Sequence, residues 1–339
     1  MLIKKNFSLK KFNTFGINVY ARYFVIIKQI HNLIEIFNKY INIPKLILGN
    51  GSNILFLKNY YPGLIIKIEI EGIEIIHETK NKVILKVFSG ENWSKFVKWT
   101  INNGFYGLEN LSFIPGTVGV SPIQNIGSYG TEIKDFILKV QVYDIIKKKI
   151  LELTQKECKF SYRNSIFKKN LNKYLIISVF FILKKNYRKL NINYIDIKKK
   201  INFLNLKYPT INDLIKIIES IRKKKIPDPK KIGNAGSFFT NPIVEKNFFR
   251  KLKLNYPNIV GHPINNNKIK ISTNCLIEYV GWKGRKIGDV EVYEKYPIIL
   301  LNHGNASGME IYSISEQIIQ DVKKKLGVFL SREVDIIID

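Results

Sequence analysis

The sequence predicts an α+β protein of about two domains, and three observations carry that prediction. Stretches 61–90 and 136–183 alternate β-branched residues with charges, the two-residue period of half-buried strands. Segments 28–40, 91–104 and 212–225 repeat apolar residues every three or four positions, which places them on one helix face. A chain of 339 residues with 45% hydrophobic content can bury a sizeable core, and at roughly 150 residues per domain it divides into about two.

In order, KFNTFG at 11–16 precedes a strand through Tyr20, Arg22, Val25 and Ile27. Ile30, Leu33, Ile34 and Phe37 define the first helix. KLILGNGSNILF at 45–56 reads as a short strand ending at Gly49, a turn, and a second strand over 54–57. After the strands of 61–90, expected to be antiparallel, Trp93, Phe96, Val97 and Ile101 form a helical stripe that Gly104 closes at its C′ position. The strand pattern resumes at 136–183, interrupted by CKFSYRNSIF at 158–167. A different section starts near Asn191; in its helix Leu214, Ile217, Ile218 and Ile221 face inward, Asp213 and the lysine triplet at 223–225 complement the dipole, and Pro227 and Pro229 stop it. Ser307 and Glu310 form a capping box for a helix lined by Ile311, Ile314, Ile318, Val322 and Leu326 and closed by Gly327. A strand over 328–338 carries Glu333.

Three glycine loops interrupt these elements. The central one, IPGTVGVSPIQNIGSYG at 114–130, holds no charged residue. Gly116, Gly119, Gly127 and Gly130 permit positive φ or close approach, so the run reads as a cradle whose N–H groups, with the side chains of Gln124, Asn125 and Ser128, bind an anionic cofactor. The first loop, Gly49, Asn50, Gly51, Ser52 and Asn53, lacks the third glycine of a dinucleotide fingerprint and leads into a strand instead of a helix. It is either a hairpin-like turn or a second phosphate contact, so that two loops clasp one dinucleotide. In the third loop, at 232–242, Ser237 is a turn residue or a positioned hydroxyl, and no histidine nearby supports a hydrolase triad. Arg163, among aromatics, is a solvated charge or a bidentate grip on a carboxylate. Glu333 by itself reads as an outward strand charge.

The net charge is +28, but the lysines are scattered and form no basic stripe with exposed aromatics, which argues against nucleic acid as the main ligand. The same charge steers anionic small substrates. Cys158 and Cys275 make no disulfide framework and share no metal-ligand spacing with the four histidines, so no metal is expected. No apolar run reaches the ~18 residues of a membrane helix, and 1–13 lacks the apolar core of a signal peptide, so a cytoplasmic protein with no membrane partner is expected.

The order KFNTFG, LGNGSN, GLENLSFIPGTVGVSPIQNIGSYG, FSYRNSIF, PDP with GNAGSFFTNP, and SREV resembles the UDP-N-acetylenolpyruvoylglucosamine reductase family over nearly the whole chain. The resemblance implies a two-part FAD-binding region of the vanillyl-alcohol-oxidase-like type at 1–70 and 71–218. It adds a separate α+β substrate-binding domain at 219–327 and a C-terminal strand at 328–339 that returns to the FAD-binding region. FAD would lie on the first two loops, including Pro115, Thr117 and Tyr129, and NADPH would supply the hydride that reaches the methylene carbon of the enolpyruvyl group. By the same resemblance Arg163 and Glu333 flank the substrate carboxylate, Ser237 delivers the proton, and Tyr194, Lys225, Asn241 and Lys270 contact the UDP-sugar. Tyr194 stands in an inserted segment like that of the family's longer variant. A monomer is implied. Departures are Leu330-Ser-Arg-Glu-Val334 where relatives commonly show Leu-Glu-Pro-Glu-Val, Asn274-Cys-Leu-Ile277 for Gly-Trp-Leu-Ile, and Tyr293 for a histidine. A flavin oxidase of the same cofactor fold is the alternative; it would share the two cradle loops without needing Ser237 or Glu333.

Overall fold

A computed structural model describes residues 1–171, 173–186 and 190–338, and their contacts divide the chain into two compact units. The first comprises Met1–Asn6, Arg22–Asn50 and Pro62–Lys224; the second comprises Phe7–Ala21, Gly51–Tyr61 and everything from Lys225 on. The units therefore run across the sequence boundaries at 70 and 327, because segments 7–21 and 51–61 pack with the C-terminal third.

The early strands β1 (Ile3–Ser8), β2 (Tyr20–Ile27), β3 (Lys45–Leu48) and β5 (Tyr60–Ile68) form one sheet in the order β1-β2-β5-β3, while β4 (Ile54–Phe56) leaves it. Helix α1 (Ile30–Lys39) packs Leu33, Ile36 and Phe37 into a core with Val25, Ile27, Leu64 and Ile66. The expectation of antiparallel strands throughout 61–90 fails for β5, which pairs parallel with β3 from Lys45↔Leu64 to Leu48↔Lys67. A parallel partner lies beyond the reach of a hairpin, and local alternation cannot reveal it.

The first unit's second sheet has the order β11-β10-β12-β7-β6, all antiparallel: β6 (Ile73–Glu78), β7 (Lys82–Phe88), β10 (Ile137–Asp144), β11 (Lys149–Thr154) and β12 (Tyr174–Lys184), with a small hairpin of β8 (Gly127–Ser128) and β9 (Thr131–Glu132) between. Helix α2 (Trp93–Asn102) starts where the Asn92 side chain accepts from the Lys95 N–H, ends at Gly104 with φ 72°, and buries Trp93 and Phe96 against Phe181 of β12. After the short α3 (Ile166–Lys169) come α4 (Ile195–Phe203) and α5 (Ile211–Lys225). In α5 Asp213 and Thr210 exchange capping bonds, and Leu214, Ile217 and Ile218 join Ile197, Ile201 and Tyr129 in one cluster.

The second unit is built on α8 (Gly308–Leu326), whose capping box and left-handed Gly327, φ 66°, are as the sequence predicts. Ile311, Ile314, Ile318 and Val322 form its core with Phe238, Phe239 and Leu276 of α7 (Thr273–Tyr279). Around it lie β13 (Ile243–Glu245), α6 (Lys246–Asn255), β14 (Gly261–Pro263) and β15 (Lys268–Ile271), and a sheet of β16 (Lys286–Ile287), β17 (Val290–Val292) and β18 (Leu300–Asn302). The expected strand at 328–338 shrinks to β19 (Asp335–Ile337), which pairs parallel with β4. Val328, Leu330 and Val334 are buried, so the residues before β19 are held by packing and isolated bonds and Glu333 is not a strand residue.

Candidate active site

In the first unit the fold brings two of the glycine loops together. The Asn50 side-chain amide donates to the Gly116 carbonyl at 3.1 Å, and Lys67 Nζ donates to Asn50 Oδ1 at 3.3 Å. Gly49 meets the same loop so closely that a Cβ there would lie 2.5 Å from Val120 Cγ2 and 3.3 Å from Thr117 Oγ1. Gly116 adopts φ 132°, a conformation few side chains permit. Gly119 is needed for chain packing: its Cβ would stand 2.5 Å from Ser89 Cβ. The N–H groups of Val118 and Gly119 donate to Glu91 and Ser89 carbonyls, so they are outside any phosphate cradle. Pro115 is exposed and Gln124 half-buried at the edges of this loop.

Asn125 departs from its expected part. Its side chain is fully buried and donates to Glu132 Oε2 at 3.0 Å and the Ser161 carbonyl at 3.1 Å, while Oδ1 accepts from the Lys134 N–H at 3.1 Å. All its donors are engaged, so the residue clips the loop to its neighbours. Arg163 has φ 52° and donates from Nη2 to the Gly127 carbonyl at 2.9 Å, beside the Tyr162 ring. The loop's end is fixed by Asn110, whose amide donates to the Tyr129 carbonyl at 2.9 Å, and the Tyr194 ring meets the Tyr129 ring edge-on at 5.3 Å.

In the second unit Gly51 takes φ 61° and its carbonyl accepts from the Thr14 N–H at 3.0 Å, which explains why KFNTFG accompanies the first loop. Ser52 follows it, and Asn53 donates to the Glu333 carbonyl at 3.0 Å. The Glu333 N–H donates to the Phe238 carbonyl at 2.8 Å, one residue past Ser237. Ser237 itself sits after the left-handed Gly236, φ 69°, in a bridge to Ile299, and Phe238 and Phe239 behind it are wholly buried. Thus Ser237, Glu333 and the last residue of the first loop share one hydrogen-bonded strip. Asn241 Oδ1 accepts from the Thr273 N–H at 2.9 Å, Lys270 lies on β15 opposite Ile243, and Lys225 Nζ stands 5.3 Å from the Tyr296 ring centroid.

A family model described as UDP-N-acetylenolpyruvoylglucosamine reductase, C-terminal domain, matches residues 228–337, and one described as FAD binding domain matches residues 25–153. The protein of that reductase name from Flavobacterium johnsoniae is 40% identical over 99% of this chain and 100% of its own. The chain belongs to the UDP-N-acetylenolpyruvoylglucosamine reductase family. A second reductase of that name, from Buchnera aphidicola subsp. Baizongia pistaciae, is 44% identical over 97% of this chain and 98% of its own. The crystal structure of a UDP-N-acetylenolpyruvylglucosamine reductase from Thermus caldophilus shares the fold, with a TM-score of 0.69 at 20% identity and 99% of each chain covered.

Within this reductase family fold, the first unit fits a flavin dinucleotide on its own evidence. The two loops are joined, Gly116 holds a left-handed turn, and the buried Ser89 hydroxyl beside Gly119 has no hydrogen-bond partner among the described residues. Two further residues escaped the sequence reading. Burial pushes the Lys67 ammonium down, opposed by the charges of Glu69 and Glu71, so a cation lies against Asn50 of the first loop. Arg222 of α5 donates from Nη2 to Ser128 Oγ at 2.8 Å, lies 5.4 Å over the Tyr129 ring, and has its Nε sealed from solvent without a partner among the described residues. Burial, and the positive charge of Arg163, push the Arg222 guanidinium down. In sequence Arg222 is only the first of four basic residues ending a helix, and its burial through Ser128 and Tyr129 appears only on folding.

Proposed function

We propose that the chain binds FAD and uses NADPH to reduce the enolpyruvyl group of UDP-N-acetylglucosamine enolpyruvate, giving UDP-N-acetylmuramate for peptidoglycan precursor synthesis. Whole-length identity with named reductases supports the reaction. The observation that carries the assignment of residues is the strip that ties Glu333 to Phe238 and so to Ser237. A flavin oxidase would have no use for that arrangement.

FAD, when bound, accepts a hydride from NADPH and donates one to a carbon, chemistry that amino-acid side chains do not supply. The chain's part is charge, position and protons. Negative charge grows on the enolpyruvyl carboxylate as the methylene carbon is reduced, and Arg163 holds that carboxylate with its planar fork, itself oriented by the Gly127 carbonyl. Arg222, buried beside a like charge, favours an anionic ligand for the same reason. Ser237 gives the proton to the adjacent carbon. A serine hydroxyl is a weak acid, so it serves here because a strongly basic carbanion forms beside an oxygen whose backbone is pinned by Gly236, Ile299 and two buried phenylalanines. Glu333 flanks the carboxylate, and Tyr194, Lys225, Asn241 and Lys270 take the sugar nucleotide.

No described helix is long and apolar enough to cross a membrane. We place the reaction in the cytoplasm, catalysed by a monomer. Anaerobic NADPH should bleach the purified flavoprotein, and the enolpyruvyl substrate should restore its colour. Restoration by oxygen but not by the substrate would overturn the reading in favour of an oxidase.

A further inference from the structure

Glu333 lies on an irregular stretch between two short anchors. Upstream, Arg332 bridges Phe239, with the Thr240 N–H donating to the Ser331 carbonyl at 2.9 Å; downstream, the Asp335 N–H donates to the Asn53 carbonyl at 3.0 Å before β19 begins. No helix or sheet ladder fixes the residue between them, although its carboxylate must be held to within about an ångström to act on a reacting group. The Glu333 backbone is tied at its N–H to the Phe238 carbonyl and at its carbonyl to the Asn53 amide, and Arg332 adds the side-chain tie from this stretch to α8. Its Nε donates to Ser315 Oγ at 2.8 Å, its Nη2 donates to Glu316 Oε2 at 2.6 Å, and its guanidinium carbon lies 4.3 Å from the Tyr312 ring centroid. All three partners stand on one face of α8, the longest helix and the centre of this unit's core. Ser315 is fully buried, gives its own proton to the Tyr312 carbonyl at 2.6 Å and accepts from Arg332 with its oxygen, so the hydroxyl is engaged on both sides. A planar fork with two directed bonds and a stacked face removes rotation that one ion pair would leave.

We infer that Arg332 is a positioning residue, a three-point clamp to α8 that holds the Glu333 carboxylate in register with Ser237. The inference rests on the proposed role of Glu333. It makes the clamp local to the reduction of the second substrate: the NADPH step, which needs neither Ser237 nor Glu333, does not depend on it.

The test uses the full-length flavoprotein with Arg332→Ala, Arg332→Lys, Glu316→Gln and Glu333→Gln. Backbone hydrogen exchange is followed at Glu333 and Asp335, and the two half-reactions are followed by stopped flow. In Arg332→Ala the two amides should exchange at least tenfold faster and substrate-driven flavin reoxidation should slow by roughly ten- to a hundredfold, as for a misplacement of about an ångström. Flavin content and the NADPH step should match the parent. Arg332→Lys, which keeps the charge but not the fork, should recover part of both readouts. Glu316→Gln, which leaves the Ser315 and Tyr312 contacts, should show a smaller effect in the same direction and serves if Arg332→Ala folds poorly. Unchanged exchange and reoxidation in Arg332→Ala, while Glu333→Gln is impaired, would overturn the clamp and leave the proposed function standing. Equal slowing of both half-reactions would overturn it too, as general structural damage. If Glu333→Gln reoxidises normally, the role of Glu333 fails, and the exchange data still decide whether Arg332 holds the segment.

Discussion

Replacing Gly49 with alanine tests whether the two loops of the first unit must touch for the flavin to be held. The new Cβ would lie 2.5 Å from Val120 Cγ2 and 3.3 Å from Thr117 Oγ1, both side-chain atoms of the second loop. Gly49 is outside the left-handed region, so the whole effect is steric. Forcing a methyl group into such a contact costs about 1–3 kcal/mol. Parting the loops at the Asn50–Gly116 bond would relieve the clash, and a flavin that must touch both loops would oppose that parting, so the cost is expected as weaker binding. A tenfold loss of FAD affinity corresponds to ~1.4 kcal/mol, and a loss of about that size or more is expected. Gly51→Ala is the contrast. There a Cβ would sit 2.0 Å from the Phe12 carbonyl oxygen at φ 61°, a backbone conflict that lowers the stability of the fold itself. Flavin-to-protein absorbance after gel filtration, together with apoprotein melting curves, separates the two. Full flavin occupancy in Gly49→Ala, or a Gly51→Ala protein as stable as the parent, would refute the reasoning.

Two further outcomes are expected. Arg163→Lys keeps the charge but loses the fork that the Gly127 carbonyl orients, so substrate-driven reoxidation should slow tenfold or more while NADPH reduction is nearly unchanged; equal damage to both steps would indicate a structural role. Burial pushes the Cys158 thiol up to about 12, so the native protein should titrate fewer than its two thiols with Ellman's reagent at pH 8, and both after denaturation. Because the folded thiol binds its proton more tightly than a free one, near 8.5, this group's contribution to stability is intact below about pH 8.5 and falls as the pH rises toward 12, which urea titrations across that range would show.

How much was legible in the sequence follows the range of the forces involved. The α8 capping box, the Gly104 and Gly327 terminators and the apolar faces of α1, α2 and α5 are set within a turn or two, and each lies where the residues predict. Helix α4 was not legible, because Ile197 and Ile201 are the only buried residues among lysines. The parallel pairing of β3 with β5, and of β4 with β19, joins segments whose local patterns carry no mark of the partner. Of the candidate site, residue identities were legible and their engagements were not. Asn125 reads as a ligand donor and is a loop clip, Glu333 reads as a strand residue and lies between anchors, and no local pattern marks Arg222, which is buried against Ser128 and Tyr129.

In the proposed reaction Ser237, on the strip shared with Glu333, gives the proton that completes reduction of the enolpyruvyl carbon. Ser237→Ala removes one hydroxyl from a backbone held independently by Gly236, Ile299 and Phe238, so flavin binding and reduction by NADPH should survive. General acids contribute a factor of about a hundred to ten thousand, and the rate of substrate-driven reoxidation in stopped flow should fall by that much. Reoxidation at the parent rate in Ser237→Ala, with its flavin normally bound and normally reduced, would contradict the account.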